Sequence, residues 1–410
     1  MKHTALLIFF LLFTQACDLG NDAEPNLKDT AQALDNIKKL DAEFINNANE
    51  FSFNLMDKVL EEAPKDKNIL VSPLSINIAL GMLYNGAKGN SAKQIIATLG
   101  LDGKDAEAIN ANYRNLLNAL PNLSNEVDMS IANSVWHDDD FAVKDQFLEN
   151  LINGFDAEVK AEDFGDANTP VMINNWVKEH TKGKIDEIID SISPQEVMLL
   201  INALYFNGSW TFQFNPEKTT TQTFTNALGQ EKNVQMMMHD KVKLRGTGRE
   251  DFAIFELPYG ENERFALRIL LPNHDQSLDE VFTKGSDFAW NGTLALGSES
   301  NVMVGLPKFE IKDEYKLNDI LISLGIEDVF DSQKSDLGNI SDKKLNVSKV
   351  KHKTFMKVDE SGTEAAAVTS VGIEVTSMPP SYICNRPFAF YIYEREMGNI
   401  LFMGRVVDVQ

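Results

Sequence analysis

The 410-residue sequence lacks the short signatures of most enzymes. It has no G-x-S-x-G elbow, H-E-x-x-H helix, Walker loop, paired C-x-x-C or dinucleotide fingerprint. None of its six histidines stands at metal-ligand spacing from another. Cations are scarce, with 38 Lys and Arg against 61 Asp and Glu, and the formal net charge is −23. Nucleic acid and anionic membrane surfaces require clustered cations, so neither is expected as a partner. Cysteine is nearly absent: Cys17 and Cys384 are the only two, too few for a disulfide framework. No Pro/Gly/Ser linker, repeat or low-complexity block interrupts residues 45–410. At 43% hydrophobic and 24% charged residues, the whole sequence has an ordinary globular balance, and a single large monomeric domain is the simplest reading. No catalytic centre, metal or cofactor is expected.

What is present begins with an export signal. Lys2 precedes "ALLIFFLLF", which is too short to span a bilayer but suited to a signal core. The stretch Thr14-Gln15-Ala16-Cys17 resembles a bacterial lipobox, in which the cysteine is lipidated and becomes the new N-terminus. Thr14 departs from the usual aliphatic residue, and plain secretion is the alternative. Residues 1–16 are thus expected to be a signal peptide, 17–40 a lipid-anchored tether and 41–410 the folded body. The acids after Cys17 suggest the outer membrane or surface of a Gram-negative cell.

The body alternates helix and strand signals without the rhythm of a parallel α/β fold. Phe44, Ala48, Phe51, Leu55 and Val59 recur at helical spacing, predicting an amphipathic helix over 41–62. "NILVSPLSINIALGMLYNGA" (68–87) reads as a short strand broken at Pro73, with a buried helix restarting at Ser75. The apolar run Val197–Phe206, interrupted only by Asn202, reads as a central strand buried on both faces. Residues 387–408 read as two strands around a polar turn. "HDDD" (137–140) reads as a turn between a strand over 131–136 and a helix from about Lys144, rather than as a cation site. Ser72, Ser75, Asn202 and His352 each sit in or beside an apolar run without a nucleophile turn. A hydrogen-bonded buried network fits them better than catalysis.

One stretch is unusual. In "ESGTEAAAVTSVGIEVTSMPPS" (360–381), every second residue from Thr363 to Val375 is small or apolar, the period of a strand with one buried face. Its leading half, Gly362-Thr363-Glu364-Ala365-Ala366-Ala367, nevertheless carries nothing large enough to anchor it. The run has no proline, so every N–H is free to join a ladder. Burial of Val371, Ile373 and Val375 would yield roughly 5–9 kcal/mol.

From about residue 44 to 410 the chain resembles a serpin. "NILVSPLSI", "NALYFNGSW", "LPKFEI", "SKVKHKTFMKVDESGTEAAAVT" and "PFAFYIYEREMGNILFMGRV" match that family's signature segments, in its order. The resemblance implies an α+β domain with three β-sheets, about eight or nine helices and an exposed reactive-centre loop. It makes Ser72, Ser75, Asn202 and His352 a "shutter" beneath the central sheet, with Glu360 and Lys308 paired beside Trp210 at the sheet's top. It also implies inhibition: a protease cleaves the loop, an acyl-enzyme forms, and the freed loop inserts into the sheet as a new strand, a known segmental switch of the family. Counting sixteen residues from the hinge Glu360, as the family does, makes Thr376–Ser377 the bait bond, or Val375 after a one-residue shift. With no Lys or Arg over 361–385, a target with a shallow apolar pocket is expected, elastase-like or subtilisin-like. A non-inhibitory serpin acting as carrier, chaperone or storage protein is the alternative. Such members usually spoil the hinge, which is intact here.

Overall fold

The computed structural model of the protein describes residues 30–273, 276–278, 281, 296–363 and 380–409. Helix α2 (Ala42–Glu62) forms where the apolar spacing predicts it. It is N-capped by the Asp41 carboxylate, which accepts from the Glu43 N–H, and buries Phe44, Phe51, Leu55 and Val59. A helix also precedes it: α1 (Thr30–Lys38) packs on α5 (Ala106–Ala119) and buries Ala33 and Asn36. Ordered structure therefore begins before the boundary expected at residue 41. The polar sequence of 30–38 hides a helix because only two of its side chains need to be buried.

Strand β1 (Ile69–Val71) leads into α3 (Pro73–Gly86). The helix begins at Pro73 rather than at Ser75. Ser72 is its N-cap, with its hydroxyl accepting from the Ser75 N–H, and proline is well suited to the first helical position because no N–H is needed there. Helix α4 (Gly89–Thr98) follows. Strand β2 (Val127–Asp138) is longer than the apolar run 131–136, and α6 (Asp145–Phe155) carries the chain into β3 (Ala157–Glu162), which lies parallel to β2. The "HDDD" segment is a strand end and turn: Asp138 accepts from the backbone N–H groups of Asp140 and Phe164. Helix α7 (Thr169–His180) precedes β4 (Met198–Ser209), which pairs antiparallel with β2. The strand expected over 197–206 thus runs on to Ser209, and its first residues, Met198 to Leu200, are only half-buried.

The remaining strands are β5 (Thr220–Thr225), β6 (Glu231–Leu244), β7 (Gly246–Gly248), β8 (Phe252–Tyr259), β9 (Phe265–Pro272), β10 (Ser300–Pro307) and β11 (Phe309–Lys316). After α8 (Asn318–Ser323) come β12 (Lys351–Val358), β13 (Gly362–Thr363), β14 (Ser381–Ile383), β15 (Phe388–Glu394) and β16 (Ile400–Val406). The last two are the expected closing pair. β15 and β16 lie inside a six-stranded antiparallel sheet of order β1-β16-β15-β9-β8-β7 and are buried at every residue. A second sheet has the order β14-β10-β6-β5. The third is split into two ladders, β11-β12 and β13-β4-β2-β3, whose facing edges β12 and β4 share no backbone ladder. Eight α-helices among the described residues surround the three sheets, and α3 packs under the split one.

Candidate functional site

The seam between β4 and β12 is where the sequence-derived site residues gather. Side chains of both strands line the same cavities along it. Its lower part opens into a cavity of about 480 Å³, bounded by Met198 to Asn202 on one side, Val350 to Lys353 on the other, and Ile76 and Leu80 of α3 beneath. Among the described residues no strand pairs with these two facing edges below Gly208, and edges of this kind can be satisfied by a further strand.

At the top of the seam the chain leaves β12, turns at Asp359–Gly362 and returns as β13. The Asp359 N–H donates to the Gly362 carbonyl at 3.0 Å, and Gly362 N–H to the Asp359 carbonyl at 3.3 Å. Gly362 then pairs with Ser209, and Thr363 with Gly208, antiparallel. A Cβ at Gly362 would stand 2.0 Å from the Gly208 carbonyl oxygen, so only glycine permits this approach. Thr363 is 3% exposed, and its hydroxyl lies 2.7 Å from the buried Tyr259 hydroxyl. Tyr259 stacks on Trp210 with ring centroids 4.5 Å apart. Trp210 Nε1 donates to the Asp359 carbonyl at 3.0 Å, and its backbone N–H donates to Ser361. Glu360 pairs with Lys308 at 2.8 Å and accepts from the Thr219 hydroxyl at 2.8 Å. Burial pushes the Glu360 carboxyl up, but Lys308 and Thr219 outweigh it and hold the group below its ordinary range. Glu360, Lys308 and Trp210 are thus brought together. Tyr259, Thr219 and Asp359 complete the cluster; only the aromatic in "ELPY" (256–259) hints at the first of them.

Below the middle of the seam lie Ser72, Ser75 and His352. The Ser72 N–H donates to His352 Nε2 at 3.0 Å, and the Ser72 hydroxyl donates to the Leu401 carbonyl at 2.8 Å. Full burial pushes the His352 imidazole down to about 4, so it stays neutral and Nε2 acts as the acceptor. Asn202 does not join this group. Its amide donates to Asn133 Oδ1 of β2 at 2.7 Å, and Asn133 in turn donates to the Phe155 carbonyl. The hydrogen bonding of the expected four-membered network is therefore divided: Asn202 is bonded to β2, although it lines the same small cavity as Ser72, Ser75 and His352. The Asn202 side-chain oxygen is buried without a partner. His352 Nε2 accepts from a backbone N–H, not from a serine hydroxyl.

Glu364, Ala365, Ala366 and Ala367 of the hinge, the bait candidates Val375, Thr376 and Ser377, and Cys17 lie outside the described residues. Cys384 is buried and unbridged.

Comparison with known proteins agrees with this architecture. The family model described as "Serpin (serine protease inhibitor)" matches residues 46–409. An uncharacterized serpin-like protein of Thermococcus kodakarensis is 31% identical, covering 100% of this chain and 99% of its own length. Human serpin B8 is 34% identical over 85% of this chain and 95% of its own. Among solved structures, the thermophilic serpin tengpin in its native state aligns with a TM-score of 0.80 at 32% identity, covering 90% of this chain and 95% of its own. Human thyroxine-binding globulin, complexed with its hormone, reaches the same TM-score at 28% identity, covering 90% and 99%. The match of the family model over residues 46–409, with relatives 31–34% identical along most of the chain and a fold shared with solved serpins, establishes that this protein belongs to the serpin family.

Proposed function

We propose that the protein is a suicide-substrate inhibitor of serine endopeptidases, with cysteine endopeptidases as a second target class, trapping the acyl-enzyme by loop insertion. Serpins are in general protease inhibitors rather than enzymes. The observation that carries the reading is the start of a strand, Gly362–Thr363, already paired to β4 at the mouth of an unpaired seam. Continuing that antiparallel register brings Thr369 opposite Asn202 and Ile373 opposite Met198, where β4 begins. Odd-numbered residues of the loop would then share the buried side of Thr363, which is the small or apolar set. The polar gap left by Asn202 and the divided network fits a sheet whose two halves are meant to part.

The bait bond in this reading is Thr376–Ser377, with Val375 as the alternative residue. Targets with a shallow apolar pocket, elastase-like or subtilisin-like, follow from the absence of Lys, Arg and aromatics there. The carrier reading has the likeness to thyroxine-binding globulin as support, but the small-residue hinge favours inhibition. Mixing the protein with a panel of proteases tests the reading. SDS-stable complexes with elastase-like enzymes, and a small C-terminal fragment beginning at Ser377, are the expected result; simple cleavage without complex would overturn it. Thr376→Arg should redirect inhibition toward trypsin-like enzymes. The location we propose, a lipid anchor at Cys17 on a Gram-negative outer membrane, rests on the N-terminal sequence alone. Cys17→Ala should release a soluble protein from detergent, and equal partitioning of both forms would refute the anchor.

A further inference from the structure

The lower end of the seam is bridged by charge where the upper end is bridged by backbone. Between α7 and β4 the chain turns at Ser193–Glu196, the Glu196 N–H donating to the Ser193 carbonyl at 2.9 Å. The Glu196 carboxylate accepts from the Ser193 N–H at 2.8 Å and reaches across to the segment that leads into β12. There it accepts from the Ser348 hydroxyl at 2.8 Å and pairs with Lys349 at 3.0 Å. The carboxylate side chain is 5% exposed. Lys349 also donates to the Ser191 carbonyl at 3.4 Å, and a second pair, Lys351–Asp190 at 2.7 Å, ties the same two segments together. Burial pushes the Glu196 carboxyl up, but the Ser193 N–H, Lys349 and Ser348 together bring it below its ordinary value.

Register gives these contacts a consequence. With Thr363 opposite Gly208, each loop residue advances as its β4 partner recedes, so Ile373 arrives opposite Met198, where β4 begins, and Val375, the residue before the bait position, would pass beside the Ser193–Glu196 turn. An inserted strand needs its two neighbours roughly 9–10 Å apart, twice the inter-strand spacing. Side chains joined at 2.8–3.0 Å across that gap occupy the path of the last residues.

We infer that Glu196, Ser348 and Lys349 form a clasp that closes the lower end of the seam and must open for the final step of loop insertion. The clasp does not touch the protease or the bait bond; Glu196 is a positioning residue that sets when insertion completes. In the uncleaved protein the same clasp holds the two half-sheets together where they share no ladder. The inference rests on the inhibitor reading above, since it is the loop that must pass.

The test uses the full chain and a protease with which the parent protein forms a stable complex. Glu196→Gln, which keeps an acceptor for the Ser193 N–H, and Lys349→Met each remove the charge pair. Rapid quenching measures how fast the bound protease loses the ability to deacylate; the second-order association rate and the cleaved bond are measured alongside. Each single variant should speed the trapping step about tenfold, equivalent to about 1.4 kcal/mol. The double variant should be no faster than the singles, and the charge swap Glu196→Lys with Lys349→Glu should return toward the parent rate. Association rate and cleavage site should not change. Parent-like trapping in both singles, or additive gains in the double, would overturn the clasp while leaving the inhibitor reading intact. A parent protein that forms no stable complex at all would overturn that reading, and the clasp with it.

Discussion

The two ends of the seam are closed by different chemistry. At the top, the backbone of Gly362–Thr363 fills the gap, and aromatic surface from Trp210 and Tyr259 supports it in a buried site. At the bottom, the side chains of Glu196, Asp190, Lys349 and Lys351 reach across an open cavity. Backbone pairing can propagate residue by residue, each added ladder bond contributing about 1 kcal/mol. A charge pair cannot propagate; it is either made or broken. On the proposed mechanism, the upper end would start a strand and the lower end would resist its completion. The middle belongs to neither, with Asn202 bonded to β2 and His352 bonded to α3's cap.

The largest effect should come from the upper end. Thr363→Arg replaces a buried hydroxyl beside Tyr259 with a guanidinium that has no partner, a penalty of several kcal/mol. Thr363 is already paired with Gly208, so part of that penalty falls on the native hinge; a share of about 4 kcal/mol on the insertion step would slow it about a thousandfold. The variant should be cleaved at the normal bond but yield little SDS-stable complex. Glu364→Arg, whose position alternates to the outward side, should still inhibit. Equal inhibition by both variants would erase the difference in role drawn between the ends.

A smaller effect belongs to the middle. His352 titrates at about 4 in the folded protein and near 6.5 when unfolded. The unfolded chain binds the proton first, so His352 favours the fold fully above pH 6.5. That contribution is lost as pH falls from 6.5 to 4, for a total of roughly 3 kcal/mol. Urea unfolding of parent and His352→Gln across this range should show a steeper decline in the parent; parallel curves would contradict a neutral, buried imidazole.

Tyr259→Phe leaves the Thr363 hydroxyl buried without its partner, which should cost about 1 kcal/mol and speed amide exchange over 360–363 while leaving 345–351 unchanged. Exchange that rose equally at both ends would mean that the seam opens as one unit. Lys308→Met is the mildest, below about 1 kcal/mol by urea unfolding, because Lys308 is 40% exposed and Glu360 keeps Thr219. A loss as large as that of Tyr259→Phe would shift weight at the upper end from the hydroxyl pair to the ion pair.

Much of the site was legible in the residues. Periodicity located α2, β4 and the β15–β16 pair, and the polar residues set in apolar runs marked Ser72, Ser75 and His352 as buried, while Asn202 is half-buried. Glu360, Lys308 and Trp210 came together as the resemblance implied. Helix α1 was missed because a short helix that buries two residues leaves almost no periodic trace. Asn133, Tyr259 and Glu196 were missed for another reason. Each acts through partners far away in the chain, and no local pattern records such a pairing.

The sequence by itself determined the family, the α+β architecture and the strand-like alternation, without large anchoring side chains, that follows Glu360. All three depend on residue type and spacing along one continuous stretch. Only the tertiary structure decided that the central sheet is parted between β4 and β12, that Asn202 bonds to β2 rather than to the Ser72–His352 pair, and that charges span the seam below. Those outcomes depend on how strands distant in the chain compete for the same hydrogen-bonding edges. An edge left unpaired is a property of two strands together, so neither strand's own residues disclose it.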